Sequence, residues 1–232
     1  FARRQFHEFG LTREMLGRQC VQQRANAQAN PRAVFHGKPM TMEDYLGARM
    51  ISDPLGMFDC DIPIDGACVV IVSAADAARD LRNPPIAIPA MSAALSRDSW
   101  DQRPDLTAMA SHDAAADMWA RTDFKPGDVD VAAVYDGFSI FVPMWLEAFG
   151  FAERGGAGAL IAGGGTALDG IIPTNTGGGQ LSAGRLHGFG HLHEACTQLW
   201  GRGGGRQVAG AQTAVVGMGG GPLGGAMLLH RG

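Results

Sequence analysis

Tyr135-Asp136-Gly137-Phe138 stands where an apolar run, Val129-Asp-Val-Ala-Ala-Val134, ends and a helix-like segment opens. A polar side chain at the C-terminal end of an α/β strand projects into the crevice where such folds carry chemistry. Tyr135 is one of 2 tyrosines in the chain, and a phenol so placed can exchange a proton or donate a hydrogen bond. A strand-end tyrosine whose hydroxyl is satisfied by its neighbours fits the same spacing equally well. His187, His191 and His193-Glu194 cluster nearby, the first two at i, i+4 spacing. Zinc needs three or four ligands. No further ligand is evident and HExxH is absent, so hydrogen-bonded histidines at a helix start are the better reading, and no metal is expected.

The 34 glycines concentrate at 177–179 and 217–225. Glycine lets backbone approach a ligand closely, at an entropic cost of roughly 0.5–1 kcal/mol per residue in regular structure. Such clusters point to backbone built around a site, with tight turns as the alternative. Gly219-Gly-Gly-Pro-Leu-Gly224 formally matches GxGxxG. A dinucleotide site needs a following helix whose N-terminus holds the pyrophosphate; the strand-like Ala226-Met-Leu-Leu follows instead, which rules that reading out.

The elements that must position these residues can be read along the chain. Thr12 caps a helix with Glu14 in its first turn, which runs to Asn30-Pro31. Met42–Ile51 reads as a second short helix, ended by Asp53-Pro-Leu-Gly. Ala67-Cys-Val-Val-Ile-Val72 is a β-branched run of the kind buried in a sheet covered on both faces. A short helix over Ala74–Leu81 and a strand over Ile86–Ala90 should follow. Then come a helix near 106–120, the strand 129–134, a helix over Phe138–Phe149 that Pro143 should kink, and a helix over Gly190–Trp200. The last places Leu192, Cys196 and Leu199 on one face. Thr213–Val216 and Ala226–Leu229 read as a hairpin. Alternating strands and helices make the class α/β.

With 232 residues, 46% hydrophobic and 18% charged, the composition is that of an ordinary globular chain. The net charge of −4 offers no electrostatic case for nucleic acid or an anionic membrane. Cys20, Cys60, Cys68 and Cys196 form no CxxC pair and read as reduced thiols, hence a cytoplasmic setting. No apolar run reaches the roughly 20 residues needed to span a bilayer. The chain opens at Phe1 rather than Met, in a helix-like Arg-rich stretch, and reads as a fragment or processed product.

An ordered set of segments resembles the thiolase superfamily, in its lipid-transfer-protein branch, over essentially the whole chain. His7-Glu-Phe-Gly-Leu-Thr-Arg-Glu and Asn30-Pro-Arg-Ala are similar to the start of a thiolase loop domain. Asp44–Leu55 and Phe58-Asp-Cys-Asp-Ile-Pro-Ile-Asp-Gly-Ala resemble the return to the N-terminal domain. Val134-Tyr-Asp-Gly-Phe-Ser sits where sterol-carrier-type thiolases have His-Asp-Cys-Phe. Asn175–Gly188 sits at the Asn-x-x-Gly-Gly…Gly-His-Pro motif, and Gly217-Met-Gly-Gly-Gly at Cys-x-Gly-Gly-Gly.

The resemblance implies a layered αβαβα fold, of which this chain holds the loop domain (1–64), the end of the N-terminal half (65–100) and the C-terminal domain (101–232). It also implies departures from thiolase chemistry. The motif cysteine falls on Gly217, the Gly-His-Pro histidine on Arg185 and the His-Asp-Cys-Phe histidine on Tyr135. A tyrosine at that last position resembles thiolase-like aldolases, which cleave β-hydroxyacyl-CoA side chains, as in steroid catabolism, with a small zinc-ribbon/OB-fold partner. The implied function is therefore retro-aldol cleavage of an acyl-CoA, with coenzyme A entering as substrate and no bound cofactor. Tyr135 would be the base, its pKa lowered by Arg185; the known aldolases have a second tyrosine where Arg185 stands. His187 would be acid/base or donor, Gly219 and Gly220 the oxyanion site, and Asn175 a holder of water or the thioester oxygen. Asp136 would orient backbone rather than react. A homodimer is implied. A degradative thiolase with its cysteine in a missing N-terminal half, and a non-catalytic acyl-CoA-binding subunit, are the alternatives.

Overall fold

The computed structural model describes residues 1–78, 81–100 and 102–232. Two helices open the chain, α1 (Ala2–Phe9) and α2 (Arg13–Gln28). The Thr12 hydroxyl caps α2 by accepting from the Met15 N–H at 3.2 Å, as the sequence indicates. The buried face of α2 is largely polar: Gln19, Gln23, Arg24 and Asn26 lie inward beside Leu16, Cys20 and Ala27. Those side chains hydrogen-bond to the loops that carry the site, so polar matching rather than an apolar stripe seats the helix.

The helix α3 covers Met42–Gly47, opened by a reciprocal Thr41–Asp44 capping box. It stops well short of Ile51. Ala48 is already extended, and Met50–Ser52 (β1) pairs instead with Leu55–Gly56 (β2). The buried Tyr45 donates its hydroxyl to Asp59 at 2.6 Å, and Ser139 donates to the same oxygen at 2.6 Å. That carboxylate ties the opening helices to the sheet.

The main sheet has four strands: β3 (Ala87–Leu95), β4 (Val131–Val134), β5 (Thr213–Met218) and β6 (Leu223–His230), in the order β3-β6-β5-β4. β4 and β5 run parallel and the other pairs antiparallel. Thr174 adds a parallel bridge on the open side of β4. The sheet is mixed and helices cover both faces, which is the expected α/β class. Along β4, Ala132 and Val134 join the core beneath α4 (Ala110–Trp119) and α5 (Phe141–Ala148), while Val131 and Ala133 pack against α8 (Phe189–Leu199). This is the period of 2 expected of a strand buried on both sides. Two short helices, α6 (Ala157–Ala162) and α7 (Gly179–Ser182), complete the set.

Two expectations need correction. Pro143 does not kink α5: the helix starts at Phe141, so the proline occupies its first turn, where an N–H has no intrahelical partner to lose. Residues 67–72 form no strand. Val69, Ile71 and Val72 are 84%, 85% and 75% exposed, because no described segment offers that run a ladder to join. The helix expected over Ala74–Leu81 falls partly outside the described residues; 75–78 form a turn. β3, which precedes residue 100, is hydrogen-bonded along its length to β6. Among the described residues no helix is long and apolar enough to cross a membrane.

Candidate active site

The end of β4 is held by side-chain amide bonds. Asn175 accepts from the Val134 N–H at 2.8 Å through Oδ1 and donates to the Val134 carbonyl at 3.0 Å through Nδ2. It thereby mimics a neighbouring strand. The residue is buried, with φ at +49°. Both ends of its amide are engaged with Val134, so its observed task is to set the exit of β4 rather than to meet a ligand.

Tyr135 follows, its N–H donating to the Gly217 carbonyl at 2.8 Å. The half-buried phenol curls over Gly137, where a Cβ would lie 2.6 Å from its oxygen. Its ring lies 5.9 Å from that of Phe141 and 6.2 Å from that of His187. Gly220 sits under the same Phe141 ring, 3.1 Å from where its Cβ would be. Gly219 accepts from the Trp145 indole N–H at 2.9 Å. Tyr135 and Gly220 thus both lie against the Phe141 ring, with His187 beside Tyr135 and Gly219 tied to Trp145.

Asp136 points the other way, into the protein. Fully buried, it accepts from Gln23 Nε2 (2.5 Å), from the Gln180 and Leu181 N–H groups at the start of α7 (2.9 and 3.2 Å) and from His191 Nε2 (2.9 Å). A carboxylate at a helix start is stabilised by the free N–H groups there, and this one orients backbone, in line with its sequence reading. The neighbouring Gly179 has φ +60°, and a Cβ on it would fall 2.1 Å from Asp136 Oδ2. His191 is therefore a buried partner of Asp136, whereas His193 lies 3.5 Å from Arg32 and exposed His187 lies beside Tyr135. The three rings serve different neighbours.

Two residues at the site carried no role in the sequence reading. Asp61 donates its N–H to the Gly137 carbonyl at 3.2 Å, and its carboxylate is 3.6 Å from the Arg185 guanidinium. Gln180, 1% exposed, brings its carboxamide near the Tyr135 hydroxyl. For Asp61 the sequence held no distinguishing signal, because Asp59 stands two residues away in the same stretch. Gln180 had none, because nothing local announces that the first turn of a four-residue helix faces Tyr135. A cavity of about 510 Å³ lies between residues 64–68 and α8; Gln180, Asn175 and His191 line it and Tyr135 does not.

The electrostatics correct one expectation. Burial pushes the Tyr135 pKa up and Asp61, then Asp136, add to that push; Gln180 and, less strongly, Arg185 pull it down, and the net shift is upward. The phenol is held protonated. Asp61 is also raised, by burial first and by Asp136, against Arg185 and His187.

Gly217 shows what this site lacks. A Cβ there would meet the Trp145 indole at 2.7 Å and the Phe149 ring at 3.0 Å. The aromatic rings occupy the space that a side chain would need. Gly217→Cys should therefore destabilise the fold by about 1–3 kcal/mol through overpacking, read from urea melts. An unshifted midpoint would show that the indole yields at no cost.

The chain is similar in sequence and fold to known proteins. Over 205 residues the chain is 37% identical to 17-hydroxy-3-oxo-4-pregnene-20-carboxyl-CoA lyase of Mycobacterium tuberculosis, covering 86% of this chain and 53% of that protein. It is 36% identical to a steroid side-chain-cleaving aldolase of Thermomonospora curvata, covering 84% and 51%. It is also 36% identical to an acetyl-CoA acetyltransferase of Methanothermobacter thermautotrophicus, covering 93% and 57%. The solved structure "Ltp2-ChsH2(DUF35) aldolase" superposes with a TM-score of 0.91 at 30% identity, covering 100% of this chain and 62% of its own. The chain spans about half the length of the curated relatives it matches. With residues 92–229 matching the family described as thiolase C-terminal domain-like, over a mixed sheet ending in the Tyr135 site, the chain belongs to that family.

Proposed function

We propose that the protein is an acyl-CoA carbon–carbon lyase that cleaves a β-hydroxyacyl-CoA by a retro-aldol reaction, acting as a homodimer with a small zinc-ribbon/OB-fold partner. The observation that carries this reading is the Tyr135 phenol at the end of β4, its ring 6.2 Å from that of His187, with no room for a side chain at Gly217. A retro-aldol cleavage forms no acyl-enzyme. It needs removal of the β-hydroxyl proton, stabilisation of the thioester enolate and return of a proton to the α-carbon. Tyr135 serves as the acid/base, and His187 as a second donor or proton carrier. Arg185 places positive charge beside the developing enolate, and the Gly219 and Gly220 N–H groups hold its oxygen. Two relatives named as a lyase and an aldolase, and the solved Ltp2-ChsH2(DUF35) aldolase, support the activity and the partner.

The acetyltransferase relative favours a second reading, a degradative thiolase. That chemistry needs an activated thiolate. Burial raises the pKa of all four cysteines here, Cys196 to about 11, so such a thiolate would have to come from residues outside this chain.

The test is incubation of the protein, expressed from its complete reading frame, with steroid, aromatic and aliphatic β-hydroxyacyl-CoAs, with and without the partner. Release of an aldehyde or ketone together with a shortened acyl-CoA is expected by mass spectrometry. CoA-dependent acyl transfer would establish the thiolase instead, and binding without conversion a non-catalytic acyl-CoA-binding subunit.

A further inference from the structure

Three carboxylates surround the turn that follows β4, and two are fully committed. Asp59 accepts from Tyr45, Ser139 and the Gly56 N–H. Asp136 accepts from four donors. Asp61 differs. Its side chain is 12% exposed, yet apart from Arg185 at 3.6 Å no N–H or O–H among the described residues reaches its carboxylate. Asp61 is only partly buried, so solvent or a ligand can reach the side of the carboxylate that Arg185 leaves free.

Its backbone, by contrast, is held from three directions. The Asp61 N–H donates to Gly137, the Ile62 N–H to Gln180 at 3.3 Å, and the Arg185 N–H to the Ile62 carbonyl at 2.9 Å. Cys60 bridges Phe138 across the same turn. The Asp61 backbone is thus fixed against the turn that follows Tyr135, with the Arg185 guanidinium 3.6 Å from its carboxylate and the charges of Asp136 and His187 near enough to act on it. A rigid backbone carrying an open functional group is the arrangement a reacting group requires.

Resting on the lyase reading, we propose that Asp61 is a catalytic residue that takes the β-hydroxyl proton, while Tyr135 is the acid that returns a proton to the enolate. The steps balance. The Asp61 carboxylate removes the O–H proton, and that electron pair becomes the carbonyl bond of the departing ketone or aldehyde. The Cα–Cβ bond breaks, and its pair passes to the thioester as an enolate. The Tyr135 phenol gives its proton to Cα, leaving a phenolate. The Asp61 carboxylic acid then passes its proton to that phenolate, which restores both groups. This division of roles needs no resting phenolate, in keeping with a phenol that its surroundings hold protonated.

The experiment uses Asp61→Asn and Asp61→Glu in the protein expressed from its complete reading frame, on a β-hydroxyacyl-CoA that the wild type cleaves. Asp61→Asn should lower kcat by about 100-fold or more, with KM changed by less than about threefold. The acid limb of the kcat–pH profile should vanish, and Asp61→Glu should restore part of the rate. Asp61→Asn should also lower the pH at which Tyr135 ionises, read as tyrosinate absorbance against a Tyr135→Phe background, because it removes a neighbouring negative charge. A kcat within about threefold of wild type, with its acid limb intact, would overturn the assignment of Asp61 and leave the lyase reading standing. Failure of the wild type on every β-hydroxyacyl-CoA would overturn the lyase reading and the assignment with it. Should Asp61→Asn lose its melting transition, Asp61→Glu carries the test: a displaced acid limb supports the role and an unmoved one overturns it.

Discussion

Tyr135→Phe should lower turnover by about 10²–10⁴-fold, the usual contribution of a positioned acid or base, with acyl-CoA affinity within about threefold of wild type. The substitution removes one oxygen atom. The ring keeps its contacts with Phe141 and His187, and the backbone N–H keeps its bond to Gly217. Stability should therefore move by less than about 0.5 kcal/mol, as for other substitutions that disturb no packing. This separation makes the result readable: a fall in kcat at constant KM and constant melting midpoint means that the lost oxygen acted in the transition state. Unchanged turnover would remove Tyr135 from the reaction. A binding protein would have no turnover to lose.

The largest effect on stability should come from Asp136→Ala, at about 3–5 kcal/mol of destabilisation. The carboxylate is fully buried, and its removal strands Gln23 Nε2, His191 Nε2 and two N–H groups at the start of α7. A buried donor left without an acceptor costs about 1–3 kcal/mol, and these four belong to three separate elements, α2, α7 and α8. Asp136 is a polar tie common to all three. Asp136→Asn should lose less, because one amide oxygen still accepts while its NH₂ faces donors. Urea denaturation with a constant m-value would measure both. An Asp136→Ala midpoint close to wild type would mean that water satisfies the stranded donors. Activity should fall in parallel, since the Gln180 N–H beside the site is held by the same carboxylate.

Much of this architecture is legible locally. Val131–Val134 and Thr213–Val216 are runs whose length and β-branching mark strands buried on both faces. Thr12 marks the start of α2 through a hydrogen bond three residues long. The position of Tyr135 follows from the end of β4. Other features are illegible for definable reasons. The inward face of α2 is polar, so apolar periodicity says nothing about which way it turns. Pro143 forbids a helix interior but not a first turn, and only the start of α5 at Phe141 settles which applies. Ala67–Val72 has the composition of a buried strand, but a strand exists only through its ladder, and no described segment pairs with it.

The amino-acid sequence by itself determined the α/β class, the strands and helices that carry local signals, the family, and the identity of the residue at the end of β4. These depend on side-chain type, spacing and hydrogen bonds between near neighbours in the chain. The tertiary structure alone decided which acids are open. Asp59, Asp61 and Asp136 are alike as residues, and no local pattern ranks them. Asp59 is closed by donors from residues 45, 56 and 139, and Asp136 by donors from 23, 180, 181 and 191. Asp61 is left with Arg185. Burial and partners supplied from distant parts of the chain set the proton affinity of a carboxylate or a phenol, so the chemistry of this site emerges only when those segments meet.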